Sequence, residues 1–167
     1  QVDLLDDIDV YSAMQDQTLV FAKSSTLSRI HRPTYPELII INDYDKTGQR
    51  IGEHRFLGLF TAKAFQEDPA LIPLIREKLA QIIEQTGLDK TSHDYKQLKR
   101  IISTLPREDL FRVNTEELFK TITGILHIKE RPRLKLFIHS DPFKRFVSCI
   151  IYAPRDCYST EMRIKFQ

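Results

Sequence analysis

The chain of 167 residues has no tryptophan, only two cysteines and only five glycines. Two cysteines, Cys149 and Cys157, are too few for a disulfide framework and are not spaced as a zinc knuckle, so we expect reduced thiols. Five scattered glycines cannot build G-x-G-x-x-G or G-x-x-x-x-G-K, the two common phosphate-binding loops. The sequence therefore predicts no bound nucleotide cofactor in this chain.

The chain also lacks an excess of charge and a long apolar run. Lys and Arg number 25 against 23 for Asp and Glu, a formal net charge of +2, which is too small to draw the whole molecule to nucleic acid or to an acidic membrane. No apolar run is long enough to cross a bilayer, and no signal-peptide pattern is present. We therefore expect a cytoplasmic protein with neither nucleic acid nor membrane as a partner. Because the chain starts with Gln rather than Met, we also expect it to be a piece cut from a longer protein.

Hydrophobic residues make up 41% of the chain, and their patterns predict an antiparallel sheet in the first third. Leu19–Ala22 and Ser28–Arg32 are short candidate strands. The continuous run Leu38–Ile41 predicts a central strand buried on both faces. Asp45–Gly48 fits a type I turn with Gly in the left-handed position.

The return strand is expected at Gln49–Thr61. Phe56, Leu57, Leu59 and Phe60 should give it core contacts. Gly52 and Gly58 suggest a bulge or a close approach of two backbones.

The middle of the chain reads as three helices. The first has apolar residues at helical spacing from Ile72 to Ile83, holds Pro73 in its first turn and stops at Gly87. Ser92 caps a second helix that ends at Pro106. Asn114 and Glu117 resemble a capping box for a third helix to about His127.

The last segment predicts a hairpin followed by the start of a helix. Leu134, Leu136 and Ile138 alternate with other residues, a period of two that is typical of a half-buried strand. Arg145–Ala153 is the second strand, and Phe143 in the turn between them is expected to cover the open end of the hairpin. Asp156 or Ser159 is placed to cap a helix near Thr160. Hairpins grouped apart from a run of helices indicate an α+β fold.

Two basic clusters are the sharpest candidate for a binding site. Arg29, His31 and Arg32 form one cluster, and His54 with Arg55 forms the other, on what are predicted to be neighbouring strands. If they converge, the arginines could bind a carboxylate or phosphate through paired hydrogen bonds. The favoured alternative is an ordinary charged face with ion pairs to Glu37 or Glu53.

Other polar residues are better explained by structure. Lys129, Arg131, Arg133 and Lys135 could form a nucleic-acid patch, but an exposed linker is the favoured interpretation. The five histidines fall at no metal-ligand spacing, so no metal site is predicted. Ser159 and Thr160 are helix-capping hydroxyls rather than nucleophiles, since no histidine is placed to activate them. Arg155, Asp156 and Glu161 could pair at the strand-to-helix junction.

Two stretches carry a family resemblance. DPFKRFVSCIIYAPRDCYSTEMR, from Asp141 to Arg163, resembles without gaps the pattern R-D-P-F-x-R-F-V-S-C-L-V-Y-V-P-R-D-x-Y-x-T-E of the large bacterial NAD-specific glutamate dehydrogenases. Ser28 to Thr61, from SRIHRPTY to GEHRFLGLFT, is similar to an earlier part of the same family, and Ile72–Arg76 continues it.

The resemblance implies a piece of the non-catalytic N-terminal region, where the family carries ACT-like and PAS-like modules. On this basis residues 1–128 are expected to form a PAS- or ACT-like sheet with helices. Residues 129–167 would be the truncated beginning of a further ACT-like module.

The function implied is regulation or assembly of a parent enzyme that converts L-glutamate and NAD to 2-oxoglutarate, ammonia and NADH. NAD would bind elsewhere in that enzyme. The expected partners are other domains and subunits of the parent homo-oligomer, with an amino acid or nucleotide as a possible effector. The alternative is a free-standing module that senses a small molecule or binds a protein.

Overall fold

The computed structural model describes residues 17–30, 33–130, 133–141, 143–144, 146–154, 159, 161 and 164. Two compact units are present. The first runs up to Gln66 and also holds Ser140–Val147, whereas the second holds Glu67–His139 and the chain from Ser148 onward. The predicted modules, residues 1–128 and 129–167, follow the family resemblance, whereas these units are defined by contacts within the structure. The predicted division into modules therefore stays a prediction.

The first unit contains an antiparallel sheet of three strands, β1 (Leu19–Lys23), β2 (Glu37–Tyr44) and β3 (Arg50–Gly58), in the order β1-β2-β3. β2 is central, as predicted, and pairs with both neighbours. A short helix, α1 (Ala62–Gln66), follows β3.

The turn between β2 and β3 has the predicted chemistry. Gly48 has φ of +83° and donates its N–H to the Asp45 carbonyl at 3.1 Å. The Asp45 carboxylate accepts hydrogen bonds from the Thr47 hydroxyl and from the Thr47 and Gln49 N–H groups. The Thr47 hydroxyl, followed by these backbone donors, lowers the pKa of Asp45.

A bulge interrupts the β2–β3 pairing where glycine was expected to allow one. Asp43 lies opposite Gly52, whereas Tyr44 lies opposite Arg50, so the register shifts by one residue. Of the bulge or close backbone approach expected at Gly52 and Gly58, a bulge forms beside Gly52, whereas a Cβ added at Gly58 would meet open space.

Burial in this sheet is one-sided, which corrects two predictions. Val20, Ala22, Leu38 and Ile40 are buried on one face, but Ile41 on the other is 37% exposed, so β2 is not buried on both faces. Phe56 and Leu57 were expected in the core and are about half exposed. β3 is an edge strand of a small sheet, and the buried cluster of the unit reaches only β1 and β2.

The third predicted strand, Ser28–Arg32, does not form over its described part. Ser28 makes one isolated bridge with Thr34. Its hydroxyl accepts the Ile30 N–H at 3.2 Å, which turns the chain locally instead of extending it. His31 and Arg32 lie outside the described residues.

Phe143 occupies a different place from the one predicted. It is buried in the core of the first unit with Val20, Ala22, Leu38 and Ile40 rather than covering the end of a hairpin. Asp141 holds this loop, because its carboxylate accepts the Phe143 N–H at 3.0 Å and the Lys23 N–H at 3.3 Å. The short turn thus supplies the largest side chain in the core of the sheet.

The second unit consists of helices and the two strands that pack on them. A 3₁₀ turn (Pro69–Leu71) precedes α2 (Ile75–Thr86), α3 (His93–Thr104), α4 (Arg107–Arg112) and α5 (Thr115–Glu130). β4 (Lys135–Ser140) and β5 (Val147–Tyr152) form the predicted hairpin. Of the two predicted caps for the last helix, Asp156 lies outside the described residues, as does the predicted start at Thr160, whereas Ser159 is described and exposed. Glu161 and Ile164 are helical, which agrees with a helix in this segment.

The helix boundaries follow the predicted capping signals closely. Gly87 ends α2 with φ of +61°, Ser92 accepts the Tyr95 N–H at the start of α3, and Asn114 accepts the Glu117 N–H at the start of α5. Pro73, however, precedes α2 instead of lying in its first turn. α4 was not predicted, because Pro106 reads as a stop yet also starts the next helix.

The helices share one buried core of apolar side chains. They are Ile75, Leu79, Ile82, Leu98, Ile101, Ile102, Leu105, Leu110, Val113, Leu118, Ile122 and Ile125.

Lys78 of α2 binds the end of α4. Its ammonium donates to the carbonyls of Leu110, Phe111 and Val113 at 2.9, 3.1 and 2.7 Å. The last carbonyls of a helix point beyond its end, where side-chain donors can bind them, and the Lys78 ammonium is such a donor. Burial lowers the pKa of Lys78 to about 8.

Leu74 adopts a backbone conformation that is rare for a residue with a side chain. Its φ is 69° and its ψ is −53°, and Ile75 donates its N–H to the Pro73 carbonyl at 2.8 Å. Together these define a γ-turn of the strained form. We expect Leu74→Gly to raise the free energy of unfolding by about 1 kcal/mol, measured by urea denaturation. Leu71→Gly, at an exposed neighbour without positive φ, should not stabilise, and an equal gain there would contradict this explanation.

Replacing Lys78 tests its role at the end of α4. Lys78→Met keeps the apolar stem but leaves three carbonyls without their donor, so we expect a loss of about 1–3 kcal/mol in unfolding free energy at neutral pH. Lys90→Met, at an exposed position, is the control and should change little. A loss no larger than that of the control would show that water replaces the ammonium.

The same variant predicts a pH dependence. The folded state releases the Lys78 proton near pH 8, whereas the unfolded chain holds it to about 10.5. The unfolded state therefore binds more protons in this range, and stability rises with pH. The stability difference between wild type and Lys78→Met should grow from about pH 8 to 10.5. A difference that stays constant or shrinks would contradict the lowered pKa.

Candidate interaction surfaces

The two predicted basic clusters are only partly visible and are not on neighbouring strands. Arg29 is exposed in the connection after β1, and His31 and Arg32 lie outside the described residues. His54 and Arg55 are consecutive residues of β3, so their side chains point to opposite faces of the sheet. β2 separates β3 from β1. The effector site formed by these five residues therefore stays a prediction.

The charged side chains of β3 already have partners within the sheet. The Glu53 carboxylate binds both Arg50 and Arg55, and His54 Nε2 lies 3.0 Å from Asp43 Oδ2. Glu37 pairs with Lys23 instead of Arg29. These contacts agree with the alternative of an ion-paired face for β3.

The second basic cluster does not form a continuous patch among its described members. Arg133 is exposed, and the Lys135 ammonium lies 5.0 Å from the centroid of the Phe137 ring. Arg131 and the side chain of Lys129 lie outside the described residues. Lys135 thus makes a cation–π contact within the fold.

The β4–β5 hairpin has an inner face that packs on the helices. Phe137, Ile150 and Tyr152 contact the helical core, and the Phe137 and Tyr152 rings meet edge to face at 6.3 Å between centroids. Phe137 also lies against Gly124 of α5, where an added Cβ would be 2.8 Å from the ring. The glycine is therefore needed for this close approach.

Two polar contacts hold the same inner face. His139 is buried, and its Nε2 lies 3.1 Å from the Thr121 hydroxyl. That hydroxyl donates to the Glu117 carbonyl at 3.0 Å, which leaves its lone pairs to accept an N–H from Nε2 of His139. On β5, Ser148 donates to the buried Asp109 carboxylate at 2.7 Å. Each strand thus makes one directional bond to a different helix.

The outer face of the hairpin is apolar and exposed. Leu136 and Ile138 of β4 are 51% and 57% exposed, and Ile151 and Cys149 of β5 are exposed as well. The solvent face of an antiparallel pair is normally polar, so this face, which we call the outer hairpin face, is a candidate docking surface. The alternation at Leu136 and Ile138 predicted a half-buried strand correctly, but Phe137 and His139 form the buried side.

The described residues contain no group of three or more His, Cys, Asp or Glu side chains that could hold a metal ion. None of the described helices is long and apolar enough to cross a membrane.

Comparison with known proteins gives matches along most of the chain. The family described as glutamate dehydrogenase, helical motif 1, matches residues 72–131, which include α2–α5. The family described as glutamate dehydrogenase, ACT2 domain, matches residues 135–167, which begin with the hairpin.

Three similar proteins are each named NAD-specific glutamate dehydrogenase. The protein of Halomonas elongata is 48% identical over 151 residues, 90% of this chain and 9% of its own length. The protein of Pseudomonas aeruginosa is 41% identical over 163 residues, which are 98% of this chain and 10% of its own length. The protein of Mycobacterium tuberculosis is 31% identical over 152 residues, which are 91% of this chain and 9% of its own length. The chain thus spans about a tenth of the length of these relatives.

The contact between Phe137 and Gly124 can be tested directly. Alanine favours a helix over glycine by about 1 kcal/mol, yet we expect Gly124→Ala to destabilise the protein by about 1–2 kcal/mol, because its methyl group would overlap the ring. Phe137→Leu in the same chain should recover part of this loss, as measured by thermal denaturation of all three variants. Stabilisation by Gly124→Ala alone would mean that the hairpin does not dock here.

Proposed function

Because the chain belongs to the family of NAD-specific glutamate dehydrogenases, we propose that it serves regulation and assembly in an enzyme of this kind. The enzyme would oxidise L-glutamate with NAD and water to 2-oxoglutarate, ammonium, NADH and a proton. The matched segments are a helical motif and an ACT2 domain, so the catalytic residues and the NAD site are assigned to other parts of the longer protein. Its setting is proposed to be the cytoplasm.

The outer hairpin face is the observation that carries this proposal. A two-stranded sheet is marginally stable alone, and here one face is stabilised by α5 while the other exposes apolar side chains. Exposed patches of this kind mark surfaces where other protein segments bind. Other domains or subunits of a homo-oligomeric enzyme are the proposed partners.

We further propose that the hairpin begins an ACT-like module, separated near residue 129 from a PAS- or ACT-like first part. The family match from residue 135 supports this boundary, since the helical match ends at 131. Relatives have about ten times the length of this chain, so they contain the further polypeptide that such a module needs to cover its sheet.

The assembly role can be tested in a chimaera. The corresponding segment of the Halomonas elongata enzyme is replaced by this chain, and Leu136→Asp or Ile138→Asp is introduced. A charge on a surface that becomes buried costs several kcal/mol, so we expect at least about a tenfold loss of assembled, NADH-forming enzyme by size-exclusion chromatography and activity assay.

Leu71→Asp is the matched control, because Leu71 is a similarly exposed leucine outside the hairpin. It should leave assembly unchanged. If the hairpin variants assemble and act as well as this control, the outer hairpin face has no role in the enzyme.

A further inference from the structure

β3 is an edge strand with unusual exposure of large apolar residues. β2 pairs with one side of β3, and no other described strand pairs with the opposite side. Ile51 is 68% exposed, Phe56 56% and Leu57 48%. Long, apolar edges are templates for pairing with another strand unless charge or a cover prevents it. The side of β3 that faces away from β2 is therefore a candidate for pairing with a strand of another chain.

The sequence of β3, RIGEHRFLG, is complementary to itself when read in the antiparallel direction. With His54 opposite His54 of a second copy, Glu53 lies opposite Arg55 and Arg55 lies opposite Glu53. Opposite charges facing each other across strands stabilise a pair, and like charges destabilise it. Two ion pairs thus form at the centre from one strand sequence, in which Glu53 exchanges its contact with Arg55 of its own strand for Arg55 of the second copy.

The flanking positions fit the same register. Ile51, the extra residue of the bulge in β3, lies beside Leu57 of the second copy, so two exposed apolar side chains meet there. Gly52 falls opposite Phe56, where an aromatic ring covers the backbone of a glycine and stabilises it. Arg50 falls opposite Gly58, so Arg50 meets no like charge in this register. All the exposed apolar residues of β3 are used.

Neighbouring registers are unfavourable, which makes the pairing specific. A shift of two residues in one direction places Glu53 opposite Glu53, and a shift in the other places Arg55 opposite Arg55. A shift by one residue exchanges the faces of all the side chains. Only the register centred on His54 combines opposite charges with apolar contacts.

We propose that β3 pairs antiparallel with β3 of a second copy of this chain about a two-fold axis at His54, giving one continuous six-stranded sheet. This inference deepens the assembly role proposed above and rests on it by naming a second copy as the partner. The contact is isologous, as expected for the commonest form of dimer. Each His54 keeps Asp43 at 3.0 Å, so a carboxylate accompanies both imidazoles at the axis.

A charge exchange tests the register in the 167-residue chain. Wild type should dimerise in sedimentation equilibrium. Glu53→Arg and Arg55→Glu should each weaken the dimer at least about tenfold, because both central pairs become repulsive. An equimolar mixture of the two variants should dimerise again, since opposite charges then face each other, and the chain carrying both substitutions should behave as wild type. Circular dichroism of each variant checks that it is folded.

A cross-link measures the axis independently. In a Cys149→Ser, Cys157→Ser background, His54→Cys should form a disulfide-linked dimer on mild oxidation, since the two residues face each other. Ile51→Cys is the matched control and should not, because its two copies lie about 20 Å apart in this register.

A monomeric wild type at millimolar concentration, a mixture that does not recover, or equal cross-linking at both positions would overturn the inference. None of these results would touch the proposed function, which is tested through the outer hairpin face in the chimaera.

Discussion

The contact of Phe137 with the backbone of α5 is the constraint on which the docking of the hairpin depends. A ring can lie this close to a helix only where the helix has no side chain, and Gly124 provides that position. Because side chains alternate along a strand, the inward position of Phe137 fixes the direction of every other side chain of β4. His139 turns inward to Thr121, and Leu136 and Ile138 must turn outward. The apolar outer hairpin face is thus a geometric consequence of an inward aromatic residue.

Directional bonds complement this apolar contact. Phe137 fixes a position but tolerates rotation, whereas the His139–Thr121 and Ser148–Asp109 bonds require particular atoms to meet. Buried polar groups without partners are costly, so a hairpin displaced by one residue would lose both bonds. The pair of bonds therefore specifies one docked arrangement of the hairpin among several that would bury similar area.

Local signals predicted local structure well. Caps at Ser92 and Asn114, the stop at Gly87 and the turn at Gly48 are chemical requirements of single positions, and the structure has each of them. Burial was predicted less well, because it depends on which faces meet. The exposed Phe56 and Ile41 look like core residues in sequence. The predicted binding cluster assumed that Arg29 and Arg55 sit on adjacent strands, and strand order is not encoded by either residue.

The burial of Phe143 with Val20, Ala22, Leu38 and Ile40 has a consequence for folding during synthesis. The backbone contact of Lys23 with Asp141 spans 118 positions of sequence. At about 5–20 residues per second, a ribosome needs roughly 5–20 s to move from the end of β2 to Phe143. During that interval the buried cluster of the sheet lacks Phe143, its only aromatic member among the described residues. The rate of translation therefore sets how long Val20, Ala22, Leu38 and Ile40 lack the side chain that completes their core.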